Sequence, residues 1–117
     1  MEMTSAVTAL SALAHPGRLA IFRRLVRAGA EGMSAGDIAR ATNTLPNTLS
    51  SSLSILSVAG LTTSQRVGRS IIYAAAYDRM RDLLGFLVED CCGGRPEICG
   101  PLMLAADCGP ETASQAR

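Results

Sequence analysis

Apolar residues return at intervals of three and four along most of this chain, and glycines and prolines punctuate the runs. Val7, Leu10 and Leu13 make a narrow stripe on a first helix, capped by Thr4 or Ser5 and ending before the His15-Pro16 step. So short a stripe needs a partner surface. Pro16 suits the first position of a second helix, with Leu19, Phe22, Leu25 and Val26 inward, Arg27 in the last turn and Gly29 as the stop. Ser34 and Asp37 form a capping-box-like start for a third helix reaching about Thr42, and Asn43 tolerates the left-handed turn that follows. His15, the only histidine, sits in a turn and reads as structural.

The stretch from Pro46 to Gly60 has two unlike faces. Leu49, Leu53 and Leu56 recur at helical spacing and must meet a core, whereas Asn47, Ser50, Ser51 and Ser54 lie on the flanks and back. Leu45 falls where a capping Ser or Thr is expected, so the cap must come from Asn43, Thr44, Asn47 or water. Two helices joined by about four residues form a helix-turn-helix candidate. Beyond Gly60, two extended runs, Leu61 to Arg66 and Ser70 to Ala75, flank Val67-Gly68-Arg69 and predict a hairpin. A hairpin after a helix-turn-helix is a wing.

A last long helix opens near Asp78 and carries Met80, Leu83, Leu84, Leu87, Val88 and Cys91 on one wide stripe. A small domain has little surface left to cover it, so it is expected to pair with the first helix and with its own copy in a second subunit. The predicted fold class is mainly α with a small β-hairpin: a homodimeric winged helix-turn-helix. Residues 1–108 form that domain with its dimerisation helices and a cysteine site, and residues 109–117 form a disordered tail.

Composition narrows the function. The 117 residues make one domain, and 48% hydrophobic with only 3% aromatic residues means an aliphatic core without stacking platforms for single-stranded nucleic acid. All 11 basic residues are arginines against 10 acids, so a net charge of +1 leaves any attraction to DNA local. Asn47, Thr48, Ser50, Ser51 and Ser54 are the candidates to meet base edges in a major groove. Arg40, Arg66 and Arg69 are the candidates for phosphate, the latter two from the wing tip, which can also reach the minor groove. With no basic leader and no apolar run near the ~20 residues that span a bilayer, the expected location is the cytoplasm, without membrane contact.

The order of helices, the wing and the strings ALAHPGRLAIFRRL, DIARAT and LSSSLSILSVAGL resemble the ArsR/SmtB family of winged-helix repressors, over roughly residues 5 to 92. That resemblance implies a homodimer that sits on double-stranded operator DNA and lets go when a metal or metalloid binds.

All four cysteines fall after residue 90, in CCGGRPEIC and at Cys108. Gly93 and Gly94 end the last helix and Pro96 stiffens the return, so Cys99 can fold back toward Cys91 and Cys92. An adjacent pair is a poor start for tetrahedral zinc, and no histidine is near. Arsenic(III) or antimony(III) takes three thiolates in a pyramid, and three negative sulfurs neutralise its formal charge. A three-thiolate zinc site would be net negative, which Glu89 and Asp90 would oppose further. The CC-x6-C arrangement is similar to C-terminal arsenite sites of ArsR repressors.

Two departures from the family matter. The third-helix cysteines of its familiar arsenic sensors are absent from Ser34 to Ala39, and the last-helix zinc site lacks its histidines, with Asp78 alone remaining. The effector assignment therefore rests on Cys91, Cys92 and Cys99, with Cys108 a bystander. The rival is a sulfur or redox sensor, or a site for another soft metal ion. Fast thiol chemistry prefers a helix N-terminus or nearby cations, and these thiols follow two acids at a helix C-terminus, with only Arg95 to favour it. The same placement, without a catalytic histidine or phosphate-cradling loop, argues against an enzyme.

Overall fold

The computed structural model describes residues 1–88. In chain order they form α1 (Met3–Leu13), α2 (Pro16–Ala28), β1 (Met33–Ser34), α3 (Ala35–Thr42), α4 (Pro46–Val58), β2 (Thr62–Val67), β3 (Ser70–Ala75) and α5 (Tyr77–Val88). Cys91, Cys92, Cys99, Cys108 and the tail 109–117 lie outside the described residues.

α1 begins one residue before the caps expected from sequence: Glu2 takes the capping position, with no side-chain hydrogen bond, and Thr4 and Ser5 lie inside the helix. Its buried face is Ala6, Ala9 and Ala12, while Val7 and Leu10 turn outward, 53% and 41% exposed. Both stripes repeat every three residues, and the small one faces the core because alanine lets the helix backbone come close. Arg18 finishes the helix by donating from Nε to the Ala12 carbonyl at 2.6 Å and from Nη2 to the Ser11 carbonyl at 3.3 Å.

His15 caps α2. Its Nδ1 accepts from the backbone N–H groups of Gly17 and Arg18 at 3.1 and 3.3 Å, which fits the structural role read from sequence. α2 buries Ile21, Phe22 and Leu25, but Leu19 is 41% exposed, against expectation. At about 100° per residue Leu19 sits about 120° around the helix from Leu25, outside the arc that Ile21 and Leu25 centre.

Gly29 closes α2 with φ at +81° and Gly32 follows at +72°. A Cβ on Gly32 would collide with the Tyr73 carbonyl oxygen and lie 2.9 Å from Ile72 Cγ2, so only glycine lets the chain enter β1. β1 pairs antiparallel with β3 through Met33–Tyr73 and Ser34–Ile72, a strand not anticipated from sequence. The sheet order is β1-β3-β2. Ser34 also starts α3, its hydroxyl accepting from the Asp37 N–H at 3.2 Å, as its pattern predicts. Asn43 adopts the expected left-handed conformation, φ 53° and ψ 50°.

The core is aliphatic as the composition required, with Ile21, Leu25, Ile38, Leu56 and Leu61 fully buried. Leu61 was expected to open β2; it precedes the strand and fills the core instead. α5 packs on this core through Leu83, Met80 and Phe86, and the Tyr77 hydroxyl donates to the Val26 carbonyl at 2.9 Å. Leu84 and Leu87 face away from it, exposed. No described helix is long and apolar enough to cross a membrane.

Candidate nucleic-acid interface

α3 and α4 are joined by Asn43, Thr44 and Leu45, the connection of a helix-turn-helix. Leu45 is extended, φ −68° and ψ 148°, and Pro46 takes the first helical position, where its missing N–H costs nothing. None of Asn43, Thr44 or Asn47 supplies the cap expected of them. Thr44 Oγ1 instead shares a 2.7 Å hydrogen bond with Thr42 Oγ1 inside the turn, and no side chain caps α4. Its first-turn N–H groups and the positive end of its dipole therefore face outward without a protein side-chain partner, an arrangement suited to a phosphate oxygen.

Leu49, Leu53 and Leu56 bury one face of α4, joined by Ser52, which sequence periodicity left unassigned. Asn47, Thr48, Ser50, Ser51 and Ser54 are all exposed, as expected, and α4 bears no charged side chain. Ser54 stands apart from the other four. It lines an open groove of about 450 Å³ between α1 and α4, together with Val7, Ala12, Arg18, Ile55 and Val58. The N-terminal half of α4 thus offers an uncharged hydrogen-bonding surface, and the C-terminal half an apolar one.

The three candidate phosphate ligands differ. Arg40, on the last turn of α3, pairs with Asp37 one turn earlier, and both side chains are exposed, so the pair is weak but offsets the arginine's charge locally. Arg66 and Arg69 have no ion pair among the described residues. Arg66 lies on β2 opposite Ile71, and Arg69 follows Gly68 in a two-residue turn closed by Val67 and Ser70. Gly68 has φ at +63°, as the first central position of a tight hairpin turn requires. The wing tip is therefore cationic and projects from the sheet, with Val67 and Ile71 exposed beside it.

Among the described residues no group of three His, Cys, Asp or Glu side chains is placed to hold a metal ion. The effector site read from sequence, Cys91, Cys92 and Cys99, lies outside them.

A helix-turn-helix domain family model matches residues 13–65, from the end of α1 into β2. The crystal structure of NolR from Sinorhizobium fredii is similar at 34% identity and a TM-score of 0.60, covering 74% of this chain and 83% of NolR. A homodimeric winged helix-turn-helix DNA-binding domain from Mycobacterium bovis, described as a possible ArsR-family transcriptional regulator, matches at 26% identity and a TM-score of 0.61, over 75% of this chain and 82% of that one. An ArsR-like transcriptional regulator from Rhodococcus sp. RHA1 shares the fold at 22% identity and a TM-score of 0.69, over 87% and 93% of the two chains. No curated protein sequence matches significantly.

Proposed function

Because the chain belongs to the ArsR-like family of winged-helix transcriptional regulators and is a DNA-binding regulator of that type, we propose that it is a homodimeric repressor released from its operator when arsenite or antimonite binds Cys91, Cys92 and Cys99. The observation that carries the effector is the CC-x6-C set after two acids, whose three thiolates match the charge and valence of a trivalent thiophilic centre. On DNA, Asn47, Thr48, Ser50 and Ser51 read or position the major groove, Ser54 lies at the margin, and Arg66 and Arg69 hold phosphates. Arg40 contributes once it exchanges Asp37 for phosphate.

The dimer has structural support in the apolar residues that one chain leaves uncovered. Val7 and Leu10 of α1 and Leu84 and Leu87 of α5 are exposed on two helices that pack together, and the Mycobacterium bovis relative is homodimeric. A two-fold dimer presents its two recognition helices about 34 Å apart, one helical turn of DNA. Folding Cys99 onto Cys91 and Cys92 at the end of the dimer helix changes that spacing. A 100-fold loss of operator affinity requires a coupling of only about 2.7 kcal/mol, and bound operator must weaken arsenite binding by the same factor.

The test is a free-thiol count on reduced protein under argon as arsenite is added to one equivalent per chain, with zinc as control. Three of the four thiols should disappear, and Cys99→Ser should abolish that loss while Cys108→Ser leaves it intact. Four reactive thiols throughout would sink the arsenite reading and turn attention to sulfur oxidants.

A further inference from the structure

α4 ends in a tightly bonded junction that reaches across to α5. The Gly60 N–H donates to the Ser57 carbonyl and the Leu61 N–H to the Leu56 carbonyl, both at 2.9 Å. With Gly60 at φ +79°, this is the Schellman pattern that satisfies the last carbonyls of a helix. The carbonyl of Leu61 then accepts from the N–H of Ala76, at 2.8 Å, immediately before α5. Arg79, on the first turn of α5, lies against Gly60 itself. A Cβ built on that glycine would stand 2.8 Å from Arg79 Nε, 2.9 Å from Nη2 and 3.1 Å from Cζ. The guanidinium thus occupies the space a side chain at residue 60 would need, and it places a cation at the negative end of the α4 dipole.

We infer that Arg79 is a positioning residue for operator recognition: it pins the C-terminal end of α4 to α5 and so sets the angle at which Asn47, Thr48, Ser50 and Ser51 are presented. This rests on the reading of α4 as the recognition helix and α5 as the dimer helix. The three leucines of α4 hold it by apolar contact, which has no direction of its own. The Schellman bonds and the Ala76–Leu61 bond do, and the guanidinium packed on Gly60 fills the space into which the end of α4 would otherwise shift. The 13 residues of α4 make a rod about 20 Å long. A tilt of about 10° at its C-terminus therefore moves its N-terminus by about 3 Å, the length of a whole hydrogen bond. Such a tilt leaves the wing arginines free to hold phosphate while base contacts are lost. Arg79 thus acts on specificity, not on bulk affinity.

Arg81 provides the control. It stands on the same turn of α5, 60% exposed and 4.0 Å from the Asp78 carboxylate, and carries the same charge. The experiment takes a duplex enriched by the wild-type chain from a randomised pool, and a scrambled duplex of the same composition, and measures affinity for both across a salt series. Arg79→Met, which keeps the aliphatic stem against α5, should weaken binding to the enriched duplex about tenfold, with scrambled-duplex affinity and both salt slopes unchanged. Arg81→Ala should alter the ratio of the two affinities by less than twofold. Hydrogen exchange should speed up at the Gly60 and Leu61 amides of Arg79→Met and stay constant at Ile21 and Leu25. Equal loss on both duplexes, a salt slope reduced by about one as for a phosphate ligand, or an unchanged ratio would overturn the assignment. Failure of the wild-type chain to enrich any duplex would instead overturn the reading of α4 on which it stands.

Discussion

α1 and α4 place apolar residues at the same helical intervals and put them to opposite uses. α4 drives Leu49, Leu53 and Leu56 into the core and shows polar groups to solvent along its N-terminal half, whereas α1 buries Ala6, Ala9 and Ala12 and leaves Val7 and Leu10 outside. A helix that buries leucines brings its own stabilisation, because each removes a large apolar area from water. One that buries alanines brings close approach and little area. Its bulk is available to a second surface, and the exposed Leu84 and Leu87 on neighbouring α5 are in the same position. The contrast divides the molecule between α4, whose leucines complete the protomer core, and α1 with α5, which add Ala6, Ala9, Ala12 and Leu83 to that core and leave Val7, Leu10, Leu84 and Leu87 to be covered.

Three substitutions test that division. Leu56→Ala, at a site with no exposure, should destabilise the protomer by about 3 kcal/mol, with a denaturation midpoint that falls equally at low and high protein concentration. Ala9→Leu, equally buried, should cost about 2 kcal/mol because the close approach of α1 leaves no room for the added carbons. A neutral result in the same denaturation experiment would show α1 to be loosely seated. Leu87→Asp, at a residue 51% exposed, should change protomer stability by no more than about 0.5 kcal/mol. It should nevertheless shift sedimentation from dimer to monomer at micromolar protein, and a dimer that survives would place the interface elsewhere.

Much of the fold was legible because its signals are local chemistry. Ser34 with Asp37, Asn43, Pro16, Pro46, Gly29 and Gly68 each perform the capping or turn role their residue type suggests. What escaped depends on partners distant in the chain or on size. β1 exists because Met33 and Ser34 meet Tyr73 and Ile72, and two residues carry no periodicity of their own. The choice between the alanine and valine-leucine stripes of α1 turns on how near the core lies, which spacing does not encode. Leu19 satisfied the three-residue rhythm of α2 but not its centre, which Ile21 and Leu25 define. The missing cap of α4 could not be decided from composition either, since Thr44 had an equally short-range alternative in Thr42. Within the candidate site, the exposed polar face of α4 and the wing arginines were readable from sequence. The contact of Arg79 with Gly60 was not, because 19 positions separate them and no motif joins them.

No residue from Ala41 to Gln65 carries a charge, and that span holds all of α4. On the proposed docking, the residues that choose a sequence are separate from those that supply ionic attraction. A duplicated copy of such a gene can exchange Asn47, Thr48, Ser50 or Ser51 for other small polar residues and acquire a new address on the chromosome. Its grip on the duplex, vested in the arginines at either end, passes to the descendant unchanged, so lineages can diverge in target without a transitional form that has lost DNA.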